Sequence, residues 1–180
     1  MYEKQIEIPE GVQVEVNGYE ISVTGSRGPL KRKLTGMFGI KMFKDGNVVK
    51  VSSDSDERKQ RSCVGTVIAH LRNMMKGVTE GYTAKVKVVY SHFPITVKVD
   101  EQNRRILIQN FIGEKLPRIA KISGDNTKVE IDGADITITG IDIEAVGQTA
   151  ANMEMATKVR EHDRKVFQDG AYIVDKPAGK

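Results

Sequence analysis

The stretch GVQVEVNGYEISVTG, residues 11–25, decides the fold of this chain. Apolar and polar residues alternate from Val12 to Val16, an Asn-Gly pair follows at Asn17-Gly18, and a second alternating run leads to Gly25. Alternation with a period of two on both sides of Asn-Gly is the strongest local signal for a β-hairpin. The stretch therefore predicts two antiparallel strands joined by a tight turn.

The same plan returns later in the chain. PITVKVDEQNRRILIQN, residues 94–110, alternates, turns through polar residues and alternates again. Each half also contains a second pair of predicted strands. In the first half the pair is GIKMFKDGNVVKVSS, residues 39–53, with a turn at Asp45-Gly46. In the second half it is TKVEIDGADITITG, residues 127–140, with a turn at Asp132-Gly133.

Each half then contains one predicted helix. The first follows Ser55-Asp56, a candidate N-cap, and the second follows Asp142. Both carry apolar residues at the spacing of one helical face. In the first helix these are Val64, Val67, Ile68, Leu71, Met74, Met75 and Val78, and in the second they are Ile143, Val146, Ala150, Met153 and Ala156.

The two halves form an internal repeat. Val12 corresponds to Ile95 and Asp56 to Asp142, an offset of roughly 85 residues. A period of this length indicates two tandem domains, each a small, mostly antiparallel sheet with one amphipathic helix packed on it. This is the α+β class. We expect the boundary near Ser91–Pro94, where a strand that ends at Tyr90 meets a proline.

The composition is that of a globular protein, with 39% hydrophobic and 29% charged residues among 180. No apolar run approaches the ~18 residues of a membrane-spanning helix. The N-terminal stretch lacks the apolar core of a secretory signal. Cys63 is the single cysteine, which excludes an internal disulfide and fits a reducing compartment. We expect a cytoplasmic protein with no membrane partner.

The net charge is +4, so the chain is mildly basic, and the basic residues are clustered. Such clusters suit phosphate backbones, but solvated faces of an ordinary protein remain an alternative for each of them. The clusters are Arg27 with Lys31, Arg32 and Lys33; Arg104 with Arg105; Lys115 with Arg118 and Lys121; and Lys158 with Arg160, Arg164 and Lys165.

The sequence contains no pattern typical of a catalytic or metal site. The phosphate-binding glycine motifs, the HExxH zinc motif and paired CxxC motifs are all missing. His70, His92 and His162 are scattered, and we interpret them as surface residues. A buried or half-buried thiol is the simpler interpretation of Cys63, and core packing that of Met74 or Met75 and of Met153. We therefore predict a binding protein that is not an enzyme and carries no cofactor and no metal.

Several separated motifs, in order, resemble one known family over nearly the whole chain. They are IPEGVQVEV (8–16), VTGSRGPLKRKL (23–34), HLRNMMKGVTEGY (70–82), VGQTAA (146–151) and DRKVFQDGAYI (163–173). The family is the large-subunit ribosomal protein L-six (uL-six) family, in its archaeal and eukaryotic branch. The resemblance implies two tandem α+β domains, and it implies binding to large-subunit ribosomal RNA near the sarcin–ricin loop and the stalk base. Neighbouring ribosomal proteins, and translation factors that dock nearby, are the further implied partners.

In that family the second domain makes the main RNA contacts. We expect an N-terminal repeat over residues 1–82, a C-terminal repeat with the main RNA-binding surface over 83–174, and a flexible basic tail over 175–180. Cations would neutralise phosphates, Gln168 and Asp169 would bond 2′-hydroxyls, and Gly170 would let the backbone approach the RNA. The predicted RNA-binding residues are Lys158, Arg160, Arg164, Lys165, Gln168, Asp169, Gly170, Lys176 and Lys180.

Two assignments stay open at this point. Gly147 and Gln148, in the first turns of the second helix, would either touch RNA or serve close packing. The cluster of Arg27, Lys31, Arg32 and Lys33, expected in a loop between strands, would contact RNA, a neighbouring protein or only solvent. A free two-domain adaptor for other proteins is the alternative function. The affinity of such an adaptor for its protein partner would persist at moderate salt concentrations, whereas the affinity for RNA would fall steeply as the salt concentration rises.

Overall fold

The computed structural model describes residues 2–177, which form two compact units divided between Gly81 and Tyr82. We call them unit 1 and unit 2. The expectation of a boundary near Ser91–Pro94 is wrong. The strand that begins at Tyr82 pairs on both of its sides with strands from later in the chain, so it belongs to unit 2.

Unit 1 contains six strands and one helix, arranged in two sheets. One sheet has the order β1-β6-β5 and the other the order β2-β3-β4. The elements are β1 (Tyr2–Glu7), β2 (Gln13–Asn17), β3 (Glu20–Gly25), β4 (Gly28–Lys33), β5 (Ile40–Asp45), β6 (Val48–Ser53) and α1 (Arg58–Thr79).

Unit 2 repeats this arrangement and adds a strand. Its sheets have the orders β10-β9-β8 and β11-β12-β7-β13. The elements are β7 (Tyr82–Val89), β8 (Thr96–Asp100), β9 (Arg105–Gln109), β10 (Arg118–Lys121), β11 (Lys128–Asp132), β12 (Asp135–Gly140), α2 (Ile143–Ala156) and β13 (Gly170–Asp175), with a 3-10 turn at Phe111–Gly113.

The α+β prediction and the internal duplication are confirmed. By their places in the sheets, β5, β6 and β1 of unit 1 correspond to β11, β12 and β7 of unit 2. Each unit carries one long helix. Every strand pair among the described residues is antiparallel. Each unit contains two sheets where one was expected, because its two predicted hairpins lie in different sheets. In each unit a further strand, β4 or β10, extends the first hairpin into a three-stranded sheet.

Three hairpin turns, which join β2 to β3, β5 to β6 and β11 to β12, have glycine at the first of two turn positions. Asn17 pairs with Glu20, so the turn residues are Gly18 and Tyr19, one position later than the sequence reading placed them. Gly18 has φ +62°, Gly46 has φ +59°, and Gly133, which matches Gly46 in unit 2, has φ +58°. The second turn residue has no positive φ, which is the pattern of a type II′ turn and suits the twist of the strands.

The apolar stripe predicted for each helix lies in the core of its own unit. In α1 all seven predicted residues, from Val64 to Val78, are buried. In α2 Val146, Ala150 and Met153 are buried, whereas Ile143 and Ala156 pack at the edge of the core. Cys63 packs partly buried against the core of unit 1, as expected.

The two helices begin differently. The Asp142 side chain caps α2 by accepting a hydrogen bond from the Glu144 amide at 3.0 Å. Helix α1 follows Glu57, which makes no side-chain cap. The expected cap at Ser55-Asp56 is therefore wrong, because the Asp56 carboxylate pairs with the Arg61 guanidinium at 2.6 Å instead.

A glycine at the end of a strand lets each helix approach its sheet closely. A Cβ atom added to Gly25 would lie 2.6 Å from Val78 Cγ2, and one added to Gly140 would lie 2.8 Å from Val146 Cγ2. Any larger residue would push strand and helix apart. Among the described residues, no helix is long and apolar enough to span a membrane.

Candidate nucleic-acid interface

The chain between α2 and β13 forms neither helix nor strand, and it carries the last basic cluster. We call residues 157–169 the connecting segment. Thr157 fixes its first end, since its hydroxyl donates to the Met153 carbonyl at 3.2 Å and accepts from the Ala171 amide at 2.9 Å. Val159 is buried in the core of unit 2. The segment therefore leaves the helix in a defined direction.

Asp163 folds the middle of the segment into a turn. Its carbonyl accepts hydrogen bonds from the amides of Val166 at 3.1 Å and Phe167 at 2.8 Å. Its carboxylate accepts from the Lys165 amide at 2.9 Å. An aspartate that satisfies backbone amides ahead of it stabilises a local turn. This acidic residue thus shapes the basic surface as well as reducing its charge.

The Arg118 side chain stabilises the C-terminal end of α2, and its hydrogen bonds are made within the protein. Its guanidinium donates to the carbonyls of Ala156 at 2.9 Å and Lys158 at 3.0 Å. It also forms a two-point ion pair with Glu114 and lies 4.2 Å from the Phe111 ring centroid. Carbonyls at a helix C-terminus lack helical partners, so a cation there is favourable. Hydrogen bonding to Arg118 lowers the pKa of Glu114.

Asp169 fixes the far end of the segment. Its side chain is 1% exposed and accepts hydrogen bonds from Ser91 Oγ at 3.1 Å and from the His92 amide at 3.2 Å. Its Oδ1 also lies 3.0 Å from His92 Nδ1. Burial alone would raise the pKa of Asp169, but the hydrogen bonds from His92 and Ser91 lower it to about 2. The predicted RNA contact at Asp169 is therefore wrong, because its carboxylate is buried and occupied.

Three rings stack at the turn of the connecting segment. The centroids of His92 and Phe167 are 4.4 Å apart with planes at 24°, and those of His162 and Phe167 are 4.5 Å apart at 30°. Two rings at these distances and small angles cannot share one face of a phenyl ring without touching each other. The described ring contacts contain no pair between the two imidazoles. Phe167 therefore lies between them.

The predicted cations lie on the surface of this segment. Lys158, Arg160, Arg164 and Lys165 are all exposed. Arg164 donates from Nε to the Val159 carbonyl at 3.3 Å. Across residues 2–177, no ion pair involves any of the four. They are available to a polyanion.

Of the remaining predicted RNA contacts in this region, some are exposed and one is buried. Gln168 and Lys176 are exposed, as RNA contacts require. Gly170 is buried, pairs with Val89 at the start of β13 and packs beside Thr157, so its expected close approach to RNA is wrong. The tail expected over residues 175–180 is wrong at Asp175, which is the last residue of β13. Lys180 lies outside the described residues.

Gly147 and Gln148 differ in their surroundings. A Cβ atom added to Gly147 would lie 3.6 Å from Pro177 Cγ, so this face of the helix is covered by the end of the described chain. Because 3.6 Å is an ordinary van der Waals distance, close packing does not require the glycine, and Gly147 stays open between packing and RNA contact. Gln148 is exposed and donates to the Asn152 amide oxygen at 2.8 Å, and it stays a predicted RNA contact.

The basic cluster of unit 1 lies mainly on a strand. The expected loop is wrong, because Gly28–Lys33 forms β4 at the edge of its sheet. Arg27 binds α1, since its amide donates to the Val78 carbonyl at 3.0 Å and its Nε to the Thr79 carbonyl at 3.3 Å. Lys31 and Lys33 are exposed, and lysines on an edge strand oppose pairing with other sheets. Arg32 is half-buried.

Two grooves are further candidate binding sites, but neither is lined by all four cations of the connecting segment. A groove of about 400 Å³ lies beside the connecting segment, lined by residues of α2 and β13 together with Lys158, Arg164 and Phe167. Another of about 700 Å³ lies in unit 1 between β1 and the last turns of α1. Among residues 2–177, no group of histidine, cysteine or acidic side chains is arranged to hold a metal ion.

The sequence reading missed the residues that hold the connecting segment in place. Arg118 was predicted only as a member of a basic cluster, and Asp163 and Phe167 were given no structural role. His92 and Asp169 are 77 positions apart, and no local pattern links them. The mixture of acidic and basic residues around Asp163 was the only local feature of this segment in the sequence. The turn at Asp163 is recognised only from the backbone amides that its oxygens bind.

Comparison with known proteins gives one consistent result. The model of the family described as "Ribosomal protein L6" matches residues 8–81 and again 93–170. "Large ribosomal subunit protein uL6" of Staphylothermus marinus is 50% identical over 172 residues, covering 96% of this chain and 93% of the relative. The protein of that name from Haloarcula marismortui is 46% identical over 173 residues, covering 96% and 95%. That from Aeropyrum pernix is 43% identical over 173 residues, covering 96% and 93%.

Proposed function

Since the chain belongs to the ribosomal protein L6 family, we propose that its connecting segment binds ribosomal RNA of the large subunit. Membership of the family makes it a structural constituent of that subunit, not an enzyme. The observation that carries the proposal is the set of four exposed cations without ion pairs on a segment fixed at both ends.

Electrostatics gives this surface its affinity. Each lysine or arginine that meets a phosphate releases condensed counterions, and this favours binding without reading sequence. Cations on a long unstructured arm would lose conformational freedom on binding. Here Thr157 and Asp169 hold the two ends through hydrogen bonds, so less freedom is lost. Gln168, Gln148 and Lys176 add exposed groups that can bond phosphates or 2′-hydroxyls.

Family membership supports a more specific location. We place the contact near the sarcin–ricin loop and the base of the stalk, so that the protein supports the region where translation factors dock. Unit 1, whose exposed Lys31 and Lys33 lie on an edge strand, is then the part that faces neighbouring ribosomal proteins or RNA.

Charge reversal in the connecting segment tests the proposal. A tagged copy with R160E, R164E and K165E is expected to sediment with free protein in cell lysate, whereas the unaltered copy sediments with the large subunit. The matched control reverses three exposed lysines elsewhere in unit 2, as K98E, K115E and K128E.

The control makes the same change in net charge and is expected to keep sedimenting with the subunit. Normal incorporation of the first variant would overturn the assignment of the segment. Equal loss in both variants would show that net charge, not this surface, decides the association. If the unaltered copy sediments alone, the free adaptor becomes the leading function.

A further inference from the structure

The exposed end of the ring stack points to a base-binding site within this surface. We propose that an unpaired nucleobase of RNA stacks on the outer face of His162. This inference rests on the proposed RNA-binding function of the connecting segment and deepens it, because it assigns a base contact to a surface that otherwise meets phosphates.

The geometry leaves one ring face for a ligand. Phe167 covers one face of the His162 imidazole at 4.5 Å between centroids. His162 is exposed, and among the described residues no other ring or cation covers its second face. Flat rings stack on nucleobases whatever the base is, since every base has a π face. A base there would be the fourth ring of an existing stack.

The stack is built before any ligand arrives. His92, its inner ring, is held by its amide and Nδ1 at the buried Asp169 carboxylate. The middle ring, Phe167, is held by its amide, which donates to the Asp163 carbonyl at 2.8 Å. His162 precedes Asp163 directly and so is oriented by the same turn. A platform that is already ordered loses little conformational entropy when a base docks.

The charges beside the ring favour RNA over an apolar partner. Arg160 and Arg164 lie two positions before and after His162, and both are exposed. Single-stranded nucleic acid is bound by this combination of aromatic platform and adjacent cations, which hold a base and its phosphates together. A proline or leucine side chain of a neighbouring protein would fit the ring but would not use the arginines.

Two substitutions separate stacking from charge and from folding. His162→Ala removes the ring, and His162→Phe keeps a flat ring that cannot carry charge. The affinities of the unaltered chain and of both variants are measured against large-subunit rRNA purified from Staphylothermus marinus, at several salt concentrations. We expect His162→Ala to raise the Kd about tenfold and His162→Phe to stay within about twofold of the unaltered chain.

The salt dependence supplies a second readout. Stacking releases no counterions, so both variants should keep the slope of log affinity against log salt, whereas the R160E, R164E and K165E variant should lose it. Unchanged affinity of His162→Ala, or equal weakening in His162→Phe, would overturn the base site and leave the proposed function standing. Absence of rRNA binding by the unaltered chain would overturn both.

Discussion

Asp169 shows how one buried residue changes the meaning of a sequence motif. In the sequence it stands between Gln168 and Gly170, just after a basic cluster, and is predicted to be a polar contact for RNA. In the structure its carboxylate joins the connecting segment to Ser91 and His92, near the start of unit 2. Its role is to hold the connecting segment, whose exposed neighbouring residues form the surface proposed to bind RNA.

Replacement of Asp169 by asparagine should therefore cost stability in a pH-dependent way. The pKa of Asp169 is lowered from 3.8 to about 2 in the folded state, so its contribution is complete above about pH 5 and is lost as pH falls through about 2. We expect Asp169→Asn to lower the free energy of unfolding by about 2 kcal/mol at pH 7 and to flatten its decline in acid. Urea denaturation between pH 2 and 7 measures both.

Asp175→Asn is the control for this change. Asp175 is 60% exposed and lies 3.7 Å from Lys85, so its ion pair is screened by water. This variant should unfold like the unaltered chain, within about 0.5 kcal/mol. An Asp169→Asn protein that matches the unaltered chain at every pH would contradict the buried anchor.

At the scale of the element, the end of α2 depends on a residue from another sheet. Arg118 stands at the start of β10 and binds the two carbonyls where α2 gives way to the connecting segment. A helix that ends without such a partner frays, and here the frayed residues would include the first cation of the segment. The ordered conformation of the connecting segment therefore depends on a residue of β10.

Arg118→Ala tests this dependence. The loss of charge-assisted hydrogen bonds to Glu114 and to the helix end should destabilise the protein by about 2 kcal/mol. Amide hydrogen exchange should become faster at Thr157–Val159, where the carbonyls are released. Lys115→Ala removes an exposed cation of the same predicted cluster and should change neither quantity. Unaltered exchange in Arg118→Ala would show that α2 ends independently of β10.

Elements with a local signal could be predicted, and those without one could not. The hairpin around Gly18 and both helices follow from alternation, glycine turns and apolar stripes that lie within a few residues of each other. β4 contains Pro29 and three cations, a composition that resembles a loop, and it forms because β3 supplies its partner. The connecting segment depends on contacts 14 to 78 positions apart, which a single sequence does not display.

At the scale of the whole molecule, the net charge of +4 understates the local positive charge of the connecting segment, the surface proposed to bind RNA. Many of its charges are paired within the fold, including Lys41 with Asp54 and Lys50 with Asp45, whereas the connecting segment presents unpaired cations. Local charge, not the total, sets the attraction at short range, because solution ions screen charges more than about 10 Å apart.

The salt dependence of binding should reflect that local count. If the four cations of the connecting segment each neutralise one phosphate, log affinity for rRNA should fall with log salt with a slope of about −3 to −4. A filter-binding titration at potassium chloride concentrations from about 50 to about 500 mM measures this slope. A slope near zero would favour the protein adaptor over the RNA-binding function.

The difference between the two copies has a consequence for the protein before assembly. Unit 2 places β13 beyond β7, whereas β1, the counterpart of β7, pairs only with β6 among the described strands. Main-chain groups along such a border can nucleate fibrous polymers with other molecules. β1 carries Glu3, Lys4 and Glu7 on six residues, and charge at this density opposes that growth. The open edge of β1 is therefore a charged one, which disfavours its pairing with a strand of another molecule.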